Sequence, residues 1–127
     1  MSDVTMLKIG DNIIIPIQVE LHDRAAMKVQ EDVLKEIERT AAKGLVIDVS
    51  AVSIVDSFLG RLLGETAKMA RLMGTECVLV GLKKEVVITL IQLGFIIKDM
   101  NTALNLEEGL ELLQRLRFGR TEGEVEE

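Results

Sequence analysis

The sequence predicts an α/β fold in which a mixed β-sheet is opened by a β-hairpin and covered by about four amphipathic helices. Two apolar stretches around a glycine-containing turn open the chain, as expected for a hairpin. Two later apolar runs, 45–49 and 76–80, have the length of buried strands. The segments around these runs repeat their apolar residues with helical spacing, and alternating helices and strands are typical of sheets with crossover connections.

Composition and charge limit the class of protein. The 127 residues suit one domain, and 48% of them are apolar, which excludes a disordered chain. There are three phenylalanines and no tryptophan or tyrosine, so few rings are available to stack on nucleic-acid bases. A net charge of −6 also disfavours nucleic acid as a partner. No signal peptide and no apolar segment of membrane length is visible, which predicts a cytoplasmic protein that does not enter a membrane.

The hairpin is predicted from two apolar segments near the N-terminus. Strands over Thr5–Ile9 and Ile13–Val19 flank a Gly-Asp-Asn turn at 10–12. Pro16 has no backbone N–H, which favours an edge strand or a bulge at that point.

A long helix and a buried strand are predicted next. Asp23 can cap a helix that extends to about Lys43, with Gly44 at its end. The apolar run Leu45–Val49 then predicts a strand, and Ser50–Val55 predicts a loop.

The second half of the chain repeats this alternation. A strand is predicted over Glu76–Val80 and a helix over about Lys84–Leu93. The apolar triplet 95–97 is a candidate for a short strand, and Asn105 with Glu108 resembles a capping box that starts the last helix.

The C-terminal segment differs in composition from the rest of the chain. Residues 119–127 contain four glutamates, two glycines and one apolar residue. Such a segment cannot bury enough apolar surface to fold, so we predict an acidic disordered tail after a single domain at 1–118.

The most informative position is the start of the helix after the 45–49 strand. Asp56 is a natural N-cap, because its carboxylate can accept from free backbone N–H groups. Ser57 then takes the first helical position, close to solvent and to the positive end of the helix dipole. A phosphate would be tolerated there and would change the surface charge sharply. The helical spacing is carried by Phe58, Leu59, Leu62, Leu63, Thr66, Met69, Ala70 and Met73, with Gly74 at the end.

The residues alone leave two interpretations of Ser57 open. It can be a regulatory acceptor, or a second capping residue without a regulatory role, because Asp-Ser pairs commonly open helices. Ser50 and Ser53 are rival hydroxyl groups that rank second, since they precede the cap. Either Phe58 or Leu59 could be exposed as an apolar anchor for a partner.

Other chemistry is poorly supported. With one histidine, His22, and one cysteine, Cys77, the chain has no recognised set of metal ligands. Ser57 lacks a nucleophile elbow and a plausible base, so no catalytic residue is predicted. The glycines match no nucleotide-binding motif, so no cofactor is predicted; Gly60 and Gly64 fit either close helix packing or a flat surface for a partner. Asp48 lies near a strand end, where an aspartate that accepts a phosphate would lie. The sequence lacks the pair of acidic residues that would complete a magnesium site with it.

The sequence Val-Asp-Ser-Phe-Leu-Gly-Arg-Leu-Leu-Gly at 55–64 resembles the signature of the STAS domain family of anti-sigma-factor antagonists. The resemblance covers about residues 4 to 117, and it is strongest to single-domain stressosome scaffold proteins of the RsbS type. Phe58 stands where ordinary antagonists usually carry a second serine.

The resemblance implies a STAS fold and a non-enzymatic, protein-binding function. It implies that Ser57 is phosphorylated and that Asp56, Phe58, Leu59 and Gly60 surround the switch. The implied partners are an RsbT-like serine kinase of the GHKL type, RsbR-like STAS proteins in homo- and hetero-oligomers, and an RsbX-like phosphatase. The alternatives are an ordinary anti-sigma-factor antagonist outside a large assembly, and a small-molecule-binding α/β domain.

Overall fold

The computed structural model describes residues 5–17, 22–94 and 100–126, with side chains described as far as residue 118. It confirms a mixed α/β fold with a hairpin at the start of the sheet. The elements are β1 (Leu7–Ile9), β2 (Asn12–Pro16), α1 (Asp23–Thr40), β3 (Gly44–Asp48), α2 (Ser57–Leu72), β4 (Glu76–Val80), α3 (Lys84–Gln92), β5 (Asn101–Ala103) and α4 (Leu106–Glu126).

The five strands form one sheet in the order β1-β2-β3-β4-β5. β1 runs antiparallel to β2, with Leu7 opposite Ile14, and the four remaining strands are parallel. The carboxyl ends of β2, β3, β4 and β5 therefore lie at one edge of the sheet, which is where α/β proteins commonly bind their partners and ligands.

Helices cover both faces of this sheet, a point that the sequence left open. The larger core joins alternate residues of the central strands, such as Ile13 and Leu45, to apolar residues of α1, α2 and α3. The intervening residues, such as Ile14 and Val46, pack against α4 through Leu113. Because the central strands are buried on both faces, they are continuous apolar runs, as in other parallel sheets.

The prediction of an edge strand or a bulge at Pro16 is wrong. β2 lies between β1 and β3, and Pro16 pairs with Asp48 in an unbroken parallel register. The proline is tolerated because it is the last residue of β2, beyond the last pair with β1 at Ile14, so no ladder bond requires its N–H.

The predicted limits of α1 are also corrected. His22 is the N-cap and makes no side-chain capping bond, while Asp23 is the first helical residue. The helix ends at Thr40, because Ala41 adopts a left-handed conformation (φ 54°) and its N–H bonds to the Ile37 carbonyl. Gly44 is the first residue of β3.

The C-terminal elements match the prediction in part. The capping bond from the Glu108 N–H to the Asn105 side chain is present at 2.9 Å. The strand predicted at 95–97 lies outside the described residues, and β5 follows at Asn101–Ala103. The backbone of α4 is helical to Glu126 and thus includes most of the segment predicted as a tail; the glutamates and Arg120 there are good helix formers.

Candidate functional site

The candidate site is formed by the loop from β3 to α2, residues 49–56, and by the first turn of α2. The carboxylate Oδ1 of Asp56 accepts a hydrogen bond from the Leu59 N–H at 2.8 Å, and Asp56 has the extended backbone expected of an N-cap. Ser57 is the first helical residue and is exposed. The hydroxyl of Ser57 is therefore presented to solvent at the N-terminus of α2, at the carboxyl edge of the sheet.

The neighbours of Ser57 divide between core and surface. Leu59 is 8% exposed and Gly60 is buried, so neither can be an apolar anchor for a partner. Phe58 is half-buried and packs against the larger core. Ile54 is a large apolar residue of the loop that is 72% exposed. Sequence reasoning missed Ile54, because nothing in the local sequence distinguishes it from Val52 and Val55, which the structure buries.

The loop before Ser57 is fixed by hydrogen bonds and by burial. The Ser50 N–H donates to Asp48 Oδ1 at 2.9 Å, and the Val52 N–H donates to the Val49 carbonyl at 3.0 Å. The side chains of Val52 and Val55 are buried in the larger core. This loop is therefore a rigid support for the first turn of α2.

A second loop, residues 81–83 between β4 and α3, contacts the first one at two points. Gly81 has φ +78°, and a Cβ built on it would lie 2.7 Å from Ser50 Cβ, so the two backbones approach closely. Lys83 Nζ donates a hydrogen bond to Ser53 Oγ at 3.0 Å. The 81–83 loop therefore packs against the loop that precedes Ser57.

Other candidate chemistry is not assembled in the part of the chain that the structure describes. No group of three or more His, Cys, Asp or Glu residues is arranged there to hold a metal ion. Burial, together with the neighbouring Glu76 carboxylate, raises the pKa of the Cys77 thiol to about 12, so this cysteine is a core residue. A Cβ at Gly64 would contact nothing within 4 Å, so close helix packing does not explain that glycine.

Comparison with known proteins identifies the class to which this fold and site belong. The STAS domain model matches residues 3–109, and the chain belongs to the STAS domain family. Among its described residues, no helix is long and apolar enough to cross a membrane.

Two similar solved structures are those of an RsbS protein and of a stressosome. A Ser-to-Glu variant of Moorella thermoacetica RsbS is 41% identical, with a TM-score of 0.83 over 91% of this chain and 98% of that one. A chain from a structure of the stressosome, described as a signal integration and transduction hub, is 42% identical, with a TM-score of 0.79 over 89% of this chain and 98% of that one.

A curated relative is the RsbT co-antagonist protein RsbRA of Bacillus subtilis, which is 22% identical over 107 residues, 84% of this chain. The chain spans about two fifths of the length of RsbRA and of a second co-antagonist, RsbRD (39% and 38%).

Proposed function

We propose that this chain is a phosphorylation-switched scaffold of a bacterial stress-signalling assembly, a stressosome, and that it sequesters an RsbT-like serine kinase until Ser57 is phosphorylated. The observation that carries the proposal is the exposed Ser57 hydroxyl at the first position of α2, directly after the Asp56 cap. Sequence identity above 40% to RsbS and to a stressosome chain, over almost the whole length of each, supports this proposal.

The switch has a simple physical basis. A phosphoserine adds a charge of about −1.5 to −2 near neutral pH. The N-terminus of α2 tolerates that charge, because the helix dipole and the free N–H groups favour anions there. The rigid 49–56 loop keeps the backbone in place, so the modification changes what the surface binds without changing the fold. A partner with an acidic or apolar face over Ser57 would lose about 1–3 kcal/mol of binding free energy.

The proposal includes the wider system. The domain at 1–118 co-assembles in the cytoplasm with RsbR-like STAS proteins, in homo- and hetero-oligomers, and the acidic residues 119–127 lie outside it. It has no catalytic role of its own, and an RsbX-like phosphatase removes the phosphate from Ser57. An ordinary antagonist that binds its kinase outside a large assembly is the alternative, and a megadalton species on size-exclusion chromatography with an RsbR-like partner would distinguish the two.

The decisive experiment is incubation with the kinase and ATP, followed by mass-spectrometric mapping of the modified site. Ser57→Ala should abolish the major phosphopeptide and still bind the kinase. Ser50→Ala is the matched control, since it removes another exposed hydroxyl of the candidate site while retaining the Cβ, and it should be phosphorylated normally. Equal phosphorylation of Ser57→Ala and wild type would refute the site. Thermal stabilisation by a metabolite, without any kinase binding, would instead favour a small-molecule-binding domain.

A further inference from the structure

The solvent-facing side of α2 carries a line of cations that begins one turn after Ser57. Positions 57, 61, 64, 68 and 71 are spaced by four and three residues, so they lie along one face of the helix. Arg61, Lys68 and Arg71 on this line are exposed, and Glu65 at its margin is the one carboxylate beside them on α2. We call Arg61, Lys68 and Arg71 the basic stripe; with Ser57 it extends about 21 Å along the helix.

The basic stripe differs from the exposed face of α1 because its cations form no ion pairs within the described residues, although the Glu65 and Glu76 carboxylates line the same groove. On α1 three exposed basic residues form ion pairs within the helix: Lys28–Asp32, Lys35–Glu31 and Arg39–Glu36. Arg61, Lys68 and Arg71 form no ion pair or side-chain hydrogen bond within the described residues. In a protein with a net charge of −6, three cations that form no ion pair within the described residues, in a line that begins one turn after Ser57, form a surface complementary to an acidic partner.

Exposed apolar residues mark the two ends of the stripe. Ile54 is 72% accessible next to Ser57, and Leu72 is 88% accessible beside Arg71. Apolar anchors combined with charges that give orientation are the usual composition of a protein–protein interface.

Resting on the function proposed above, we infer that the basic stripe binds an acidic face of the partner kinase and that phosphorylation of Ser57 disables it by drawing Arg61 onto the phosphate. Ser57 and Arg61 are four residues apart on α2, with the acidic group on the N-terminal side, which is the favourable order for an ion pair on a helix. The guanidinium matches phosphate oxygens in charge and geometry. The phosphate thus pairs with one cation of the basic stripe, so that this cation no longer binds the kinase. The negative charge of the phosphate also repels the acidic face of the kinase.

The role of the stripe is tested with the unmodified full chain and the kinase. Lys68→Glu, about 17 Å along the helix from Ser57, should weaken kinase binding about tenfold or more by isothermal titration calorimetry. Lys35→Glu on α1 makes the same change in net charge and should stay within about twofold of wild type. Equal losses in both variants would overturn the inference. A loss of self-association by Lys68→Glu without any effect on kinase binding would assign the stripe to contacts between copies and would also overturn it.

The role of Arg61 is tested without the kinase, by placing phosphoserine at position 57 during synthesis of the full chain. The second pKa of the phosphate, followed by ³¹P NMR, should be lower by about 0.5 in the wild-type background than in Arg61→Gln. Lys68→Gln should leave that pKa unchanged. Identical pKa values in the wild-type and Arg61→Gln backgrounds would overturn the capture of Arg61. If the phosphate titrates as expected but the kinase never binds, the proposed function fails and the Ser57–Arg61 pair stands.

Discussion

The ammonium group of Lys83 donates a hydrogen bond to the Ser53 hydroxyl over 3.0 Å, and this bond joins two loops whose residues lie 30 positions apart in the chain. Together with the contact between Gly81 and Ser50, it fixes the loop that presents Ser57. The position of Ser57 therefore depends on residues next to β4 and α3 as well as on its own helix.

Lys83→Met should loosen the loop at 49–56 while leaving the fold intact. A single exposed hydrogen bond contributes little, so the free energy of unfolding should change by less than about 1 kcal/mol. Amide hydrogen exchange at residues 50–55 should become faster. Lys84→Met, at the adjacent residue with no such bond in the described structure, is the control, and equal exchange in both variants would show that the bond does not support the loop.

Asp56→Ala should destabilise the protein by about 1 kcal/mol, because it removes the acceptor of the Leu59 N–H at the start of α2. Urea unfolding measures this change. Asp23→Ala is the matched control, since Asp23 lies in the first turn of α1 but is not its N-cap; it should cost a few tenths of a kcal/mol through the dipole alone. A smaller loss for Asp56→Ala than for Asp23→Ala would contradict the capping role.

Ser57→Asp should keep the native fold, because the side chain is exposed and an acidic group is favoured in the first turn of a helix. Its far-ultraviolet circular dichroism should match wild type, and its melting temperature should lie within a few degrees. Leu59→Asp, two residues further on, buries a charge in the larger core and should unfold the protein. Unfolding of Ser57→Asp would disprove a switch that leaves the fold unchanged.

Gly81→Ala should be more destabilising than Gly74→Ala. Both glycines have positive φ (+78° and +87°), so both alanines incur a similar backbone cost. Only at residue 81 does the added methyl meet Ser50, with its Cβ at 2.7 Å, while nothing lies within 4 Å at residue 74. The extra crowding should cost about 1–3 kcal/mol in chemical denaturation, and equal losses would mean that the two loops do not touch.

Cys77 should resist thiol reagents in the native protein at pH 8, because its pKa is raised to about 12 by burial and by Glu76. Labelling with Ellman's reagent should be slow in buffer and rapid in guanidinium chloride. The raised pKa also means that the folded state holds this proton more tightly than the unfolded state. The free energy of unfolding therefore includes the full stabilisation from this proton below pH 9.0 and loses it as the pH rises from 9.0 to about 12. Fast labelling of the native protein at pH 8 would contradict the burial of Cys77.

The start of α2 could be predicted because the signals are local. A capping aspartate, a serine at the next position and a run of apolar residues at helical spacing define Asp56 and Ser57 from ten neighbouring residues. The limits of α1 were predicted less well, since Ala41 ends that helix in a left-handed conformation that is unusual for alanine and has no sequence signal.

The sequence by itself determined the alternation of strands and helices, the capped turn at Ser57 and the aliphatic core. The first two depend on patterns among residues close together in the chain, and the third depends on composition. Only the tertiary structure decided that α4 covers the face opposite α1 and α2, that Lys83 reaches Ser53, and that Phe58 packs while Ile54 is exposed. These features depend on how strands distant in sequence pair and on which side each connection crosses, and local periodicity carries no information about either.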